Sequence, residues 1–228
     1  MNKITLITGA TAGIGRAPAF KLAEHKHNLI ITGRREERLK DLKEEIENEY
    51  GVSVYFLPFD IRNKEEVSEA VDSLPKDWQN IDVLVNNAGL AVGLNHLQDG
   101  ETEDWERMID TNIKGLLYIT RKVAPLMVQK ENGHIVNVGS IAGRQVYEYG
   151  NVYCATKHAV DALSKSMRID MLKYNIKVTQ IAPGMAETEF SLVRFKGDEE
   201  RAKNAYKGFK ALTGEDVANV IAFAVNQP

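Results

Sequence analysis

TGATAGIGRAPAF, residues 8–20, follows directly on the short apolar run KITLIT (3–8). Its glycines fall at 9, 13 and 15, a G-x-x-x-G-x-G spacing rather than the G-x-G-x-x-G dinucleotide fingerprint. Glycine permits positive φ and lets a ligand approach the main chain closely. Behind the loop, Ile14, Ala17, Phe20 and Leu22 mark the apolar side of a helix. A strand, a glycine loop and a helix start with unpaired N–H groups make a pyrophosphate cradle. The plain alternative is a tight strand-to-helix turn. The place behind the first strand favours the ligand site, because ligands gather at the carboxyl ends of such strands. Pro18 opposes the helix: it removes one N–H and crowds the preceding residue, at an interior cost of ~3 kcal/mol and less near the start. A strained or slightly displaced first turn is expected, with the glycine loop still formed.

Further Ile- and Val-rich runs lie at 28–33, 52–59, 81–87, 133–139 and 176–182. Between them come segments of helical periodicity: 35–50, with Leu39, Leu42 and Ile46 on one face, then 105–127 and 152–174. Near-continuous apolar strands are buried on both faces, and strands alternating with helices build right-handed βαβ units. The expected fold is α/β: one doubly wound Rossmann-type domain over residues 1–228, a parallel sheet of six strands with helices on both faces. No repeat, linker or low-complexity tract divides it. The tail TGEDVANVIAFAVNQP (213–228) reads as a last helix capped by Thr213. No further strand follows it in the sequence, although a doubly wound domain usually adds one.

A formal net charge of −3 argues against a nucleic-acid binder. The single cysteine, Cys154, allows no internal disulfide and fits a reducing compartment. The N-terminus lacks the pattern of a signal peptide, and no apolar run approaches the ~18 residues of a membrane span. These features lead to the expectation of a soluble cytoplasmic protein with no nucleic-acid or membrane partner.

The second strand ends in Gly33-Arg34-Arg35, about where an NAD-binding fold places an acid for the ribose 2′-OH. Positive charge at a helix start is unfavourable by ~0.3–1 kcal/mol, so these arginines want another reason. A 2′-phosphate supplies one, since arginine grips it with paired hydrogen bonds. Solvated arginines paired with Glu36 and Glu37 are the plainer reading. NADP is the expected cofactor. Further on, Tyr153 and Lys157 are spaced i, i+4 and share a helix face behind Ser140 at a strand end. A nearby ammonium favours phenolate and lowers a tyrosine pKa from ~10 toward neutrality. Tyr153 is therefore a candidate acid/base for alcohol–carbonyl interconversion, with Ser140 able to hydrogen-bond the substrate oxygen. The spacing alone is common by chance; behind the strand-end serine and the glycine loop it is not. A nucleophilic Cys154 partnered by His158 is geometrically possible. No metal-ligand spacing occurs among the histidines, so no metal is expected.

These stretches together resemble the short-chain dehydrogenase/reductase family over essentially the whole chain. Thr8-Gly9-x-x-x-Gly13-Ile14-Gly15 matches that family's cofactor loop, which includes Thr11, and Asn86-Asn87-Ala88-Gly89 matches its motif after the fourth strand. The resemblance implies a catalytic tetrad of Asn112, Ser140, Tyr153 and Lys157, with Asn112 supporting a water-linked proton path. It further implies that Asp60 and Ile61 line an adenine pocket and that Asn87 meets the cofactor. Pro183, Gly184 and Thr188 would hold the nicotinamide amide, and Tyr153 and Lys157 would reach its ribose. TGRREERL (32–39), NNAGLAVG (86–93), EDWERMIDTNIKGL (103–116) and TEFSLVRFKGD (188–198) further resemble the NADP-dependent 3-hydroxy acid dehydrogenases. That implies oxidation of L-serine, L-allo-threonine, 3-hydroxybutyrate or similar acids. Carbonyl reduction of neutral aldehydes or ketones, and dinucleotide sensing without catalysis, are the competing readings. Arg194 and Lys196, in the family's mobile substrate loop, and Gln145 are candidates to meet the substrate. Pro18 and Ala186 depart from the family pattern, as does the missing seventh strand. Family members are commonly homotetramers, partly through that end, so its absence bears on assembly.

Overall fold

The computed structural model describes residues 2–227. Strands β1 (Ile4–Ile7), β2 (Asn28–Gly33), β3 (Val54–Pro58), β4 (Ile81–Asn86), β5 (Gly133–Val138) and β6 (Ile176–Ile181) form one parallel sheet in the order 3-2-1-4-5-6. The expected doubly wound fold is thus observed. Leu6 stands in register between Ile30 and Leu84, and Ile7 between Ile31 and Val85. Successive strand residues face opposite ways. Leu6, Ile30, Leu84 and Ile135 accordingly pack on one side, and Ile7, Ile31, Val85 and Val136 on the other. Each such fully buried aliphatic side chain stabilises the fold by ~1.5–3 kcal/mol.

The first layer of helices is α1 (Gly13–Glu24), α2 (Glu36–Tyr50) and, from the chain's far end, a helix at Gly214–Asn226. The second is α3 (Lys64–Asp72), then α4 (Thr102–Ile109) and α5 (Leu116–Gln129), and α6 (Asn151–Met171). Two short helices, α7 (Phe190–Arg194) and α8 (Glu199–Asn204), follow β6, which makes the last helix α9. Thr213 caps α9 as expected, in a reciprocal box with Asp216. α1 runs through the buried Pro18 without a break, and the glycine loop forms. The first turn is loose: Gly15 N and Arg16 N share the Ala12 carbonyl at 3.2 and 3.4 Å.

One element differs from expectation. The 105–127 segment is not one helix: a π-helical stretch, Asp110–Gly115, separates α4 from α5. An inserted residue of this kind re-aims a side chain, and here it carries Asn112 into the interior. Chain reversal between β1 and β4 opens a crevice at the strands' carboxyl ends. Among the described residues, no helix is long and apolar enough to cross a membrane.

Candidate active site

The glycine loop is braced by the chain that follows β4. Asn87 Nδ2 donates to the carbonyls of Thr8 and Gly9 at 2.9 and 3.2 Å, and Thr8 Oγ1 accepts from Asn87 N and Ala88 N, each at 3.0 Å. Gly9 has φ +67, in the left-handed region that glycine tolerates. A Cβ at Gly15 would overlap the Gly9 carbonyl and the Asn87 amide. Ala12 at the head of α1 offers no side-chain cap, which leaves the first helical N–H groups to meet an anion. The loop walls a long open cleft that runs from Arg34 and Asp60 at one end to Tyr153 and Lys157 at the other. Main chain bared by glycine beside an uncapped helix start fits a dinucleotide pyrophosphate.

Arg34 and Arg35 line the same cleft, with Thr11, Asp60 and Ile61. Arg35 donates to Thr11 Oγ1 through Nε and Nη2 and to Glu189 through Nη1. Arg38, which sequence reasoning passed over, binds the other oxygen of Glu189 at 2.9 Å. It lies one helical turn beyond Arg35, and that spacing was the available signal. Burial would raise the Glu189 carboxyl, but hydrogen bonds from Arg38 and Arg35 outweigh it and hold the group below the usual carboxylate range. Asp60 is gripped by Arg62 at 2.6 Å.

Tyr153 and Lys157 line the cleft's inner end; Ser140 adjoins Tyr153 and Asn112 stands beside them, neither among the lining residues. Lys157 is buried, its Nζ donating to the Val138 carbonyl at 3.0 Å and standing 5.9 Å from the Tyr153 ring centroid. Asn112 bridges three groups: Leu90 N and O at 2.8 Å each, and Thr156 Oγ1 at 3.0 Å. A Cβ on Gly89 would lie 3.2 Å from Asn112 Oδ1 and 3.5 Å from Lys157 Nζ, so the Gly89 main chain packs closely beside both. Ser140 caps the short turn Ile141–Gly143, accepting from Ala142 N at 3.1 Å. The expected lowering of the tyrosine is reversed. Burial pushes Tyr153 up to about 12, against the opposing pull of a Ser140 hydrogen bond, and burial pushes Lys157 down to about 8. Low polarity penalises phenolate and ammonium alike, so the i, i+4 spacing does not by itself lower the phenol here.

Arg194 does not line the cleft; it meets Tyr153 in a smaller adjoining pocket with Val92, Asp104 and Tyr149. Its guanidinium lies 5.7 Å from the Tyr153 ring centroid, donates to Tyr147 Oη at 2.7 Å, and has a buried Nε with no partner among the described residues. Phe190 packs edge-on to Tyr153 at 5.7 Å between centroids. Lys196 instead pairs with Asp104 at 2.8 Å. Gln145 is exposed and is not among the residues that line the cleft. His158 bonds the Cys154 carbonyl at 2.9 Å, and the cysteine is 1% exposed, which gives no thiol–imidazole pair. Thr188 faces Gly13 across the cleft, whereas the Pro183 carbonyl accepts from Ile141 N at 3.0 Å and so ties the end of β6 to the Ser140 turn. Gly184 follows it directly.

The family model described as short chain dehydrogenase matches residues 3–198. The chain is similar to the NADP-dependent 3-hydroxy acid dehydrogenase YdfG of Salmonella typhi, 48% identical over 226 residues that cover 99% of this chain and 90% of that protein. It is also similar to the NADP-dependent 3-hydroxy acid dehydrogenase of Schizosaccharomyces pombe, 43% identical over 227 residues, 99% of this chain and 88% of the relative. Among solved structures, the closed form of serine dehydrogenase complexed with NADP+ superposes with a TM-score of 0.95 at 47% identity, covering 99% of this chain and 90% of that one. Serine dehydrogenase from Escherichia coli matches with a TM-score of 0.84 at 42% identity, covering 99% and 92%.

Proposed function

The chain belongs to the short chain dehydrogenase family, as an NADP-dependent dehydrogenase of hydroxy compounds, and on that premise we propose that it interconverts a 3-hydroxy acid and its 3-oxo acid with Tyr153 as the acid/base. L-serine, L-allo-threonine and 3-hydroxybutyrate are the substrates that its relatives suggest. The observation that carries the acid specificity is Arg194: a cation beside the Tyr153 ring, with a buried donor that lacks a partner among the described residues. A substrate carboxylate supplies that partner, and leaving a buried donor unsatisfied costs ~1–3 kcal/mol.

In this reading Ser140 Oγ and Tyr153 Oη share the substrate's 3-oxygen. Tyr153 gives its proton to the carbonyl in reduction; in oxidation its phenolate takes the hydroxyl proton. Oxidation therefore runs faster at alkaline pH. Lys157 sits under the phenol, and Asn112 and the Gly89 main chain keep the path beside it narrow. NADP+ supplies the hydride acceptor. Gly9, Thr11, Gly13, Ile14 and Gly15 would hold its pyrophosphate and Asp60 and Ile61 its adenine. The Arg34–Arg35 corner would hold its 2′-phosphate. Asn87, Pro183, Gly184, Thr188, Tyr153 and Lys157 would take its nicotinamide end. We also read the protein as a cytoplasmic homotetramer; exposed Ile169 and Leu172 near the end of α6 support an association surface, and sedimentation tests it.

Initial NADPH formation from NADP+ tests the acid specificity. The panel is L-serine, L-allo-threonine, 3-hydroxybutyrate and a neutral alcohol of similar size. Turnover of the acids and not of the alcohol is expected. Turnover of the alcohol alone would replace this reading with a reductase of neutral aldehydes or ketones.

A further inference from the structure

Arg34 and Arg35 are neighbours in sequence but unequal in structure. All three terminal nitrogens of Arg35 are engaged by the protein: Nε and Nη2 on Thr11 Oγ1 at 3.3 and 2.9 Å, and Nη1 on Glu189 Oε2 at 3.2 Å. Arg34 keeps its fork open. Its ion-pair contact is a distant one, 3.9 Å from Asp60 Oδ2, and that carboxylate already accepts four bonds of 2.6–3.0 Å from Arg62, three of them from its side chain. A phosphate is gripped bidentately only by a guanidinium whose parallel N–H groups are available.

Glu189 opens the arm that ends in Arg194. Through Arg35 and Arg38 it connects that arm to the head of α2, across 154 and 151 residues of sequence. Arg35 and Glu189 both line the cleft, so the bridge forms part of its wall; Arg38 is not among the lining residues.

We propose that the two arginines divide the work: Arg34 discriminates for the 2′-phosphate, while Arg35 and Arg38 anchor Glu189, which closes the arm over the bound dinucleotide. This inference rests on the reading of the corner as the 2′-phosphate seat. Glu189 is a positioning residue in this scheme, and it couples the cofactor end of the cleft to the smaller adjoining pocket where Arg194 meets Tyr153. The sequence reading assigned both arginines to the phosphate; the hydrogen-bond pattern separates them.

The test uses R34A, R35A and E189Q in the full chain, with the Kd of NADP+ and of NAD+ measured by calorimetry and the release of NADPH and NADH followed by stopped flow. All three side chains are about half exposed, so the variants fold. R34A should reduce the preference for NADP+ over NAD+ by about tenfold or more, the scale of a lost charged hydrogen-bond pair. R35A and E189Q should leave that preference within about threefold and speed release of both reduced cofactors by about 3–10-fold, the scale of a small ion-pair network. In an R35A/R38A background, E189Q should add almost nothing, because coupled residues are not additive. An R35A variant that loses NADP+ preference as R34A does would overturn the division. Tighter NADP+ binding by E189Q with unchanged release would overturn the anchoring role and make Glu189 a competitor of the phosphate. If R34A leaves the preference unchanged, the 2′-phosphate seat itself is wrong, which is a separate failure.

Discussion

The cleft has two walls of different construction. On the cofactor side, the loop 8–15 is held by the buried Thr8 hydroxyl and the half-buried Asn87 amide, which join the main chain just past β1 and β4, with the fully buried Ile7 and Val85 beside them. On the opposite side, the arm 186–212 is closed on itself by the bridge between Ala186 and Leu212, and is held to the body by a main-chain bond from Gly93 N to the Arg194 carbonyl at 3.1 Å and by side-chain pairs. Those pairs are Glu189 with Arg35 and Arg38, Lys196 with Asp104, and Arg194 with Tyr147. Breaking a buried hydrogen bond strands its partner at ~1–3 kcal/mol, whereas an exposed ion pair is worth ~0–1 kcal/mol. One wall is therefore preformed, and the other opens cheaply. The difference gives a rigid seat for a cofactor shared by many enzymes and an adjustable face for the substrate.

Substitutions on the two walls should separate in kind. Tyr153→Phe removes the proton that the proposed mechanism moves. Turnover should fall by about 10²–10⁴-fold, the range of general acid–base catalysis, with the NADP+ Kd nearly unchanged. Substantial residual activity in steady-state assays would take Tyr153 out of that role. Gly15→Ala forces a Cβ into the Gly9 carbonyl and the Asn87 amide. The preformed wall cannot yield without breaking its buried bonds, so NADP+ affinity should drop by about 10–100-fold, as for ~1–3 kcal/mol of overpacking. Calorimetry that shows wild-type affinity would mean the loop is as pliable as the arm.

Arg194→Ala acts on the adjustable wall. It should raise the KM for a 3-hydroxy acid by about tenfold or more and leave a neutral aldehyde's KM alone. Equal effects on both substrates would recast Arg194 as a prop for Tyr147. The smallest effect concerns acid. Burial pushes His134 down to about 4, helped by the charges of Lys177 and Lys3. The unfolded chain, near the ordinary ~6.5, protonates first, so this contribution to stability is full above ~6.5 and is lost as pH falls toward 4. Urea midpoints should fall across that window for the wild type and less for His134→Asn. Parallel curves would assign the acid sensitivity elsewhere.

How far the site was legible follows the same division. Strand runs, glycine spacing and the Ser140, Tyr153 and Lys157 pattern are local signals; the three loop glycines, Tyr153 and Lys157 line the cleft, and Ser140 adjoins Tyr153. The π-helical stretch was not legible. The sequence around Asn112 keeps helical periodicity, and the inserted turn answers to Asn112 meeting Leu90 and Thr156 and to Gly115 packing on Ile61. Glu189 and Arg38 were passed over because each is an ordinary charged residue until a partner more than 150 residues away is brought to it. The tyrosine's titration was misjudged for a related reason: spacing along a helix says which groups are near, and burial decides which charge is tolerated.

By itself the sequence determined the doubly wound sheet, the place of the glycine loop and the residues at the cleft's inner end. Short continuous apolar runs, glycine and i, i+4 spacing act within a few residues, where chain geometry leaves few choices. Tertiary structure alone decided which arginine keeps an open fork, which loop cation stands by Tyr153, and how far the buried phenol and ammonium hold to their neutral forms. Those outcomes depend on desolvation and on contacts between distant segments, and neither exists until the fold brings them together.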